Sequence, residues 1–525
     1  MPLPDRNIPW PPKETDDARA LMDVHGAWYS GDPDELVRVY GGNRGYPDVK
    51  IRSSQYRGGL VGAAARFWWG APPSDSDQPT RLHVPIASDI ASVNADLLYA
   101  EPPTLSVEGD PTQKRLATIF QDGMHAALLE GGELCSPYGG VYQRVSWSPG
   151  VDHPYWEPII PDCVAPEWAG QRLRAATLWR VVEDRDGHIY RHLERHEPGR
   201  IYHGLYMGTE DRLGRPLPLG DHPETEWLSG LVDADSGITT GATGLAIEYF
   251  PNMRPNRTMR GSPLGRSDFQ GIEQLMDALD EAYSSWMRDL RLAKARLITP
   301  DSFLQNLGRG QGQLFDPERE IYKPVSGLLQ QQGQGIGDLL QLIQPDIRVV
   351  EHAQTTQALA EQVVRGAGFS AQTFGEGPAD VAVTATEVQH RERRTYATRD
   401  RKVGYQSPPL RRLAFTTLEI DRHVFKSSIR PAPVTVTFPD GVQDAPKATA
   451  ETVKLLRDAR MLSDEVGVRM VHPDWGPKQV AEEVERLAAE NPVVDPFVAA
   501  GVVSRQRLDG DVPSSPSGGG PLVAS

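Results

Sequence analysis

One stretch near the middle of the chain predicts a helix longer than most helices of compact domains. In residues 267–297 apolar side chains recur every three or four positions, and Ser267 is placed to cap the N-terminus. Acidic residues come early in the stretch and basic residues late, which is the order that the helix dipole favours. Such a helix is about 46 Å long. Its apolar positions are Phe269, Ile272, Met276, Leu279, Tyr283, Trp286, Leu290, Ala293 and Leu297.

The sequence after this helix indicates how the helix is used. Residues 300–345 are rich in Gly and Gln, and a second helix is predicted within 346–368. Two long helices joined by so long a connection are not expected in a compact monomer. They are expected in a stalk that packs beside copies of itself. The alternative, which composition alone favours, is a core helix of a monomeric bundle. The residues that a stalk turns toward neighbouring subunits are Tyr283, Trp286, Met287 and Arg288.

The chain before residue 267 predicts an α+β fold. Residues 1–15 are Pro-rich and are expected to form an extended arm. Residues 141–250 contain short alternating runs separated by Pro and Gly, a pattern typical of strands. We therefore predict one α+β region over 16–266 that carries a β-rich insert. Helical spacing covers about 16–40, 84–100 and 113–134.

The C-terminal part is predicted to be mainly helical. A loop over 369–384 leads into a long helical stretch and a strand over 385–445. Pro408-Pro409 predicts a break in that helix, because proline lacks the backbone N–H and clashes with the preceding turn. Two or three amphipathic helices are predicted over 446–491. The rest, 492–525, is rich in Pro, Gly and Ser and is expected to be a flexible tail.

Composition and missing motifs argue against several functional classes. The chain has 55 basic and 71 acidic residues, a net charge of -16, whereas proteins that wrap nucleic acid are usually basic. No apolar run suits a membrane-spanning helix or a secretory signal. No lysine follows a glycine, so a Walker A loop is excluded, and neither G-x-S-x-G nor H-E-x-x-H occurs. The 2 cysteines fit a reducing cytoplasm. We expect no catalysis, cofactor or metal.

One histidine pair has a spacing found in metal and catalytic sites. His192 and His196 lie four residues apart, with Glu197 beside them. On a helix this spacing suits a metal, but the surrounding alternation favours a strand, where the two side chains lie about 13 Å apart. Solvated or hydrogen-bonded histidines are therefore the favoured interpretation, and an unrecognised enzyme site is the minor alternative.

Several segments together resemble the phage portal proteins of long-tailed actinobacterial phages. Each is a loose pattern alone, but their order and spacing over about 20–490 are fairly specific. The segments are AAARFWWGAPPS at 63–74, IASDIASVNADLLYAEPPTL at 86–105, GGELCSPYGGVYQRVSW at 131–147, IIPDCVAPEW at 159–168, LERHEPGRIYHGLYMG at 193–208, 247–297, GFSAQTFGEGPADVAVTATEV at 368–388 and MLSDEVGVRMV at 461–471.

The resemblance implies a portal-like fold assembled as a ring, typically of twelve subunits, at one vertex of the capsid. Double-stranded DNA is packaged and ejected through such a ring, and a separate terminase supplies the energy. The implied parts are an N-terminal arm (1–15), a wing (16–266), a first stem helix (267–299), a clip (300–345), a second stem helix (346–368), a tunnel loop (369–384), a kinked wing helix with a strand (385–445), a helical crown (446–491) and a tail (492–525).

The resemblance also implies partners and places for contact residues. The expected partners are copies of the chain, double-stranded DNA, the terminase large subunit, the head–tail adaptor, the major capsid protein and the scaffold, with no membrane. The implied location is the virion, after assembly in the host cytoplasm. The alternative is an adaptor or minor head protein that forms no channel. Candidate DNA-facing residues of the tunnel loop are Gln372, Thr373, Glu376 and Asp380. Candidate docking residues of the clip are Asp316, Arg319, Glu320 and Lys323.

Overall fold

The computed structural model describes most of the chain in two compact units, Met1–Gly441 and Val442–Ser525. Helices and antiparallel sheets are mixed along the chain, so the α+β prediction is confirmed. The described residues are 3–4, 7–41, 82–148, 150–292, 348–375, 385–439, 446–459, 461–472 and 476–490, with short strands between 296 and 343.

Glycines with positive φ divide two of the helices predicted in the N-terminal half. Gly31, with φ 67°, interrupts the 16–40 stretch, and Gly123, with φ 97°, interrupts the 113–134 stretch. Side chains disfavour this left-handed region, so glycine allows the chain to turn there. The resulting helices are α1 (Asp16–Ser30), α2 (Pro33–Gly41), α3 (Ile86–Tyr99), α4 (Asp110–Ile119) and α5 (His125–Tyr138).

The β-rich insert forms two antiparallel sheets. The smaller contains β2 (Gly140–Ser146) between β10 (Ile247–Pro251) and β3 (Tyr155–Ile159). The larger sheet comprises β4 (Val164–Ala169), β5 (Arg172–Arg185), β6 (His188–Glu197), β7 (Arg200–Thr209), β8 (Arg212–Leu217) and β9 (Gly237–Thr239). It has its strands in chain order, β4-β5-β6-β7-β8, with β9 paired to β7. Outside the insert, β1 (Thr104–Ser106) pairs with β15 (Thr435–Thr437).

The described part of the N-terminal arm packs against the larger sheet. Trp10 is buried, and its ring meets Trp179 edge-on with centroids 5.3 Å apart. Leu3 and Trp10 cluster with Leu193 and Leu213, so the arm covers one face of β6 and its neighbours. This contact explains why β6 is buried on both faces rather than on one.

Two long helices pack side by side after the insert. These are α7 (Glu273–Leu292) and α8 (Val349–Ala367), and a short helix, α6 (Pro223–Glu226), precedes them within the insert. The prediction that α7 begins at Ser267 is wrong, because Gly271 with φ 90° holds the preceding residues in turns. Between the long helices, β11 (Arg296–Ile298) pairs with β14 (Gln341–Ile343), and β12 (Gln305–Asn306) pairs with β13 (Gln313–Leu314).

Helix α9 (Ala385–Val424) runs without a break through Pro408 and Pro409. The predicted break is wrong, because tertiary contacts hold the helix on both sides of the prolines. Before them, Tyr405 donates from its hydroxyl to the Arg254 carbonyl at 3.0 Å. After them, Leu410, Leu413, Ala414 and Leu418 are fully buried in the core. Burying three leucines and an alanine contributes roughly 5–10 kcal/mol, which offsets the roughly 3 kcal/mol that each of the two interior prolines costs.

The second unit is described as three helices. They are α10 (Pro446–Asp458), α11 (Asp464–Val471) and α12 (Pro477–Glu490). The Ser463 hydroxyl caps α11 by accepting from the Val466 N–H at 3.4 Å. Val468 and Val480 are buried, while Leu455 and Met461 are largely exposed.

Candidate functional site

The paired helices α7 and α8 and the segment after α8 hold the described candidate residues. We call the end of the pair near Glu273 and Ala367 the inner end, and the end near Leu292 and Val349 the outer end. At the inner end, Ile272 and Met276 are buried against Val363 and Val364. Gly366 lies in this interface, where an added Cβ would come within 2.3 Å of the Ile272 Cγ2 atom. A residue without a side chain therefore allows the two segments to approach closely.

Polar contacts attach the first half of α7 to α1 and to the segment just before α3. Asp280, buried in α7, accepts from the Val84 N–H at 2.8 Å and lies 2.9 Å from the His83 Nδ1 atom. Glu273 lies 3.1 Å from the His25 Nε2 atom. The first half of α7 is thus a core helix of its own chain. The sequence did not single out His25 or His83, because their partners are distant in sequence.

The second half of α7 carries the predicted inter-subunit residues. Trp286 stacks on His352 of α8, with ring centroids 5.9 Å apart and planes 4° from parallel. Tyr283 stacks on Trp286 at 6.1 Å. Tyr283, Trp286 and Met287 are half-buried, and Arg288 is exposed. Two of these side chains therefore contact their own chain, while part of this surface is open.

An ion pair joins the outer ends of α7 and α8. The Asp289 carboxylate accepts from the His352 Nε2 atom at 2.8 Å and from the Arg348 guanidinium at 3.0 Å. Both hydrogen bonds lower the pKa of Asp289 below its usual value, and the bond from His352 has the larger effect. The outer ends of the helices are therefore held together by polar contacts, whereas their inner ends are held by apolar packing.

The segment after α8 turns back against α9. Phe369 is buried, and Ala371–Phe374 forms a short 3-10 helix. Gln372 and Thr373 are half-buried, and the Thr373 hydroxyl lies 2.9 Å from the hydroxyl of Thr395 in α9. The other candidates of the predicted tunnel loop and clip lie outside the described residues. They are Glu376, Asp380, Asp316, Arg319, Glu320 and Lys323.

His192 and His196 lie on strand β6, as the sequence alternation predicts, and both are buried. The His196 Nε2 atom lies 2.6 Å from the Glu194 carboxylate, and the His192 Nε2 atom lies 3.2 Å from the Nδ1 atom of His203 on β7. Arg144 of β2 donates to Glu194 at 2.7 Å. Sequence reasoning missed His203 and Arg144, because strand pairing and sheet packing bring them to the pair.

Burial and charge set the protonation of this cluster. Burial lowers the pKa of His192 to about 3 and that of His203 to about 4. Burial alone would raise the pKa of Glu194, but Arg144 and the hydrogen bond with His196 outweigh it and hold that pKa well below its usual value. The rings of His192 and His203 stack, with centroids 5.3 Å apart and planes 5° from parallel. Both are therefore neutral near pH 7, and the charges of Glu194 and Arg144 compensate each other.

A cavity of about 430 Å³ lies beside the cluster and is lined by Arg144, Glu194, His192 and His203. Throughout the described ranges, no group of three or more His, Cys, Asp or Glu side chains has an arrangement that could hold a metal ion. Among the helices that the structure describes, none is both long and apolar enough to cross a membrane.

Comparisons with known proteins give a family match and several similar structures. The family model described as phage portal protein, SPP1 Gp6-like, matches residues 48–492. No curated protein sequence matches the chain. A chain from the neck of a native GTA particle, computed with C12 symmetry, is 13% identical with a TM-score of 0.35, and the match covers 82% of this chain and 97% of that one.

Two further structures show the same level of similarity. A chain from the virion of a native gene transfer agent particle is 15% identical with a TM-score of 0.34, and the match covers 83% of this chain and 97% of that one. A chain from the neck of an empty GTA particle, computed with C6 symmetry, is 15% identical with a TM-score of 0.36 and coverages of 76% and 94%.

Proposed function

The chain belongs to the SPP1 Gp6-like family of phage portal proteins, and we propose that it forms the ring at one capsid vertex through which double-stranded DNA is packaged and ejected. The family match over residues 48–492 carries this proposal, and it confirms the resemblance drawn from the sequence. The protein is then a structural component of the virion, with its channel and docking surfaces made by repetition of one chain.

The outer half of α7 supplies the contact between neighbouring subunits in this proposal. Met287 is half-buried and Arg288 is exposed, so part of their surface is open. A neighbouring chain can cover this open surface, which is partly apolar at Met287. The stacking of Trp286 on His352 of α8, and of Tyr283 on Trp286, then fixes the shape that each subunit presents.

The channel surface in this proposal includes the segment after α8. Gln372 and Thr373 are its described candidates for contact with DNA, and Glu376 and Asp380 complete the set. A net charge of -16 per chain supports passage, because an acidic wall repels phosphates rather than holding them. Thr395 restrains Thr373, so the segment presents a defined surface.

The clip is proposed to dock first the terminase large subunit and then the head–tail adaptor. Its charged candidates are Asp316, Arg319, Glu320 and Lys323. The wing is proposed to meet the major capsid protein and, during assembly in the host cytoplasm, the scaffold. This set of partners rests on the family to which the chain belongs.

Negative-stain electron microscopy and light scattering on the same purified sample test the ring. Twelve chains of 57.9 kDa give a particle of about 0.7 MDa with a central hole. A monomer that also fails to form rings when co-expressed with capsid and scaffold proteins contradicts the proposal. It would favour the adaptor or minor head protein, which forms no channel.

Charge reversal in the clip tests partner docking separately. Arg319→Glu with Lys323→Glu is expected to leave rings intact but to block DNA packaging or adaptor binding, because reversing both charges disrupts the electrostatic complementarity on which docking depends. Arg185→Glu is the control, since Arg185 is a largely exposed residue of β5 in the wing. Normal phage yield from the clip variant, equal to that of the control, would refute the clip assignment.

A further inference from the structure

A buried lysine lies where the two long helices meet the N-terminal helices. The Lys402 side chain, on α9, is 1% exposed, and its Nζ atom lies 2.6 Å from the Asp268 carboxylate and 2.5 Å from the Asn94 Oδ1 atom. The ammonium also lies over the ring of Phe369, 5.2 Å from its centroid. A charge with so little access to water is held by these three partners.

The partners of Lys402 come from separate parts of the fold. Asp268 lies shortly before α7, Asn94 lies in α3, and Phe369 follows α8 directly. Asp268 is tied further to α5, because its carboxylate accepts from the Ser136 hydroxyl at 2.8 Å and its N–H donates to the Ser136 carbonyl at 3.0 Å. The Lys402 ammonium therefore contacts three separate segments: the residues just before α7, the residues just after α8, and α3.

Side chains on successive turns of α9, all on the face that carries Lys402, hold the segment after α8. Thr395, Thr398 and Lys402 are spaced so that they share one side of the helix. The Thr395 hydroxyl accepts from the Ser370 N–H at 2.9 Å, and the Thr398 hydroxyl donates to the Gly368 carbonyl at 2.7 Å. The two threonines bind the backbone of this segment, and Thr395 also contacts the Thr373 hydroxyl, whereas the lysine binds the side chains of Asn94 in α3 and of Asp268 before α7. Lys402 thus adds a charged contact to this row of anchors.

We propose that Lys402 is a positioning residue that keeps the segment Phe369–Gly375 in a fixed place relative to α3, α5 and the start of α7. The functional consequence rests on the proposed function, in which this segment faces DNA in a portal ring. Lys402 then links the position of the DNA-facing segment to the wing, through Asn94 and Asp268. An apolar residue of similar length can fill the space of the lysine but cannot bind Asp268 and Asn94 together.

Hydrogen–deuterium exchange of the full-length protein tests the positioning role. Lys402→Met leaves the Asp268 charge buried without its partner, which can destabilise the whole fold. The second variant, Lys402→Met with Asp268→Asn, removes both charges and so keeps the test decisive. Lys114→Met, at an exposed lysine of α4, is the matched control.

The expected result is local. In the double variant, amide exchange across 369–375 rises by tenfold or more, about the effect of losing one anchoring contact of 1.4 kcal/mol, while exchange in β6 stays as in the control. Unchanged exchange across 369–375 in the folded double variant overturns the proposal, and so does an increase of equal size in β6. These results do not depend on ring formation.

In phage, the double variant is expected to form rings and to package less DNA; normal packaging despite faster exchange would overturn the link to the channel.

Discussion

Acidification should weaken the fold of the β-rich insert through the stacked pair His192 and His203. Both side chains are buried, and both have pKa values well below the ordinary value of a histidine, about 3 and about 4. The charged and titratable groups that face the pair are Glu194, Arg144, Arg180 and His196. Since the folded pKa values are depressed, the unfolded chain binds more protons below about pH 6.5, and stability falls as pH falls.

The size of the effect follows from these pKa values. Between about pH 7 and about pH 5 each histidine loses nearly 2 kcal/mol of stabilisation, so the pair loses about 3 to 4 kcal/mol. This is a large part of the 5–15 kcal/mol that typically stabilises a domain. The carboxylate of Glu194, whose pKa is lowered, contributes stability that is lost only below about pH 4.5, so it does not enter this window.

Urea unfolding followed by tryptophan fluorescence measures the difference between the two pH values. His192→Gln with His203→Gln removes both titrating groups and should reduce the loss on acidification by about 3 kcal/mol relative to the natural sequence. His188→Gln, at an exposed position of the same strand, should leave the loss unchanged. An equal loss in the natural protein and the double variant would refute the reasoning, because the pH dependence would then arise elsewhere.

Two further substitutions test packing and a buried charge by urea unfolding. Gly366→Ala should destabilise the protein by about 1–2 kcal/mol, because its Cβ meets Ile272 and this overpacking exceeds the gain in helix propensity. Gly404→Ala is the control; apart from its own helix turn and chain neighbours, no atom of the described residues lies within 4 Å of its Cβ, so it should be neutral or stabilise by up to about 1 kcal/mol. Arg115→Met should cost about 3 kcal/mol, because it leaves the fully buried Asp421 without the guanidinium 2.8 Å away. A cost below about 1 kcal/mol would contradict the role given to that pair.

Local patterns predicted many of the elements. The apolar spacing of 84–100 corresponds to α3, and the alternation around His192 and His196 corresponds to β6. Helical and strand periodicity are properties of neighbouring residues, so they can be read without knowing what packs on them. The same local rules failed at Pro408-Pro409, because burial of the following leucines outweighs the local cost of proline.

The candidate site was only partly predictable. Trp286 was identified from its place on the helical stripe, but its stacking on His352 depends on how α8 returns beside α7. Similarly, Asp280 is an ordinary acidic residue of an amphipathic helix until the segment before α3 brings His83 to it. Residues separated by about two hundred positions meet through packing, which spacing along the chain does not encode.

The sequence by itself determined the α+β class, most helices and strands, and the resemblance to portal proteins, because these depend on periodicity, punctuation by Gly and Pro, and the order of segments. Tertiary structure alone decided that Lys402 is buried, that it pairs with Asp268, and that His192 stacks on His203. A charged or titratable side chain is read as exposed from sequence, since burial is costly unless a partner is supplied. Only the folded chain shows that the partner is there.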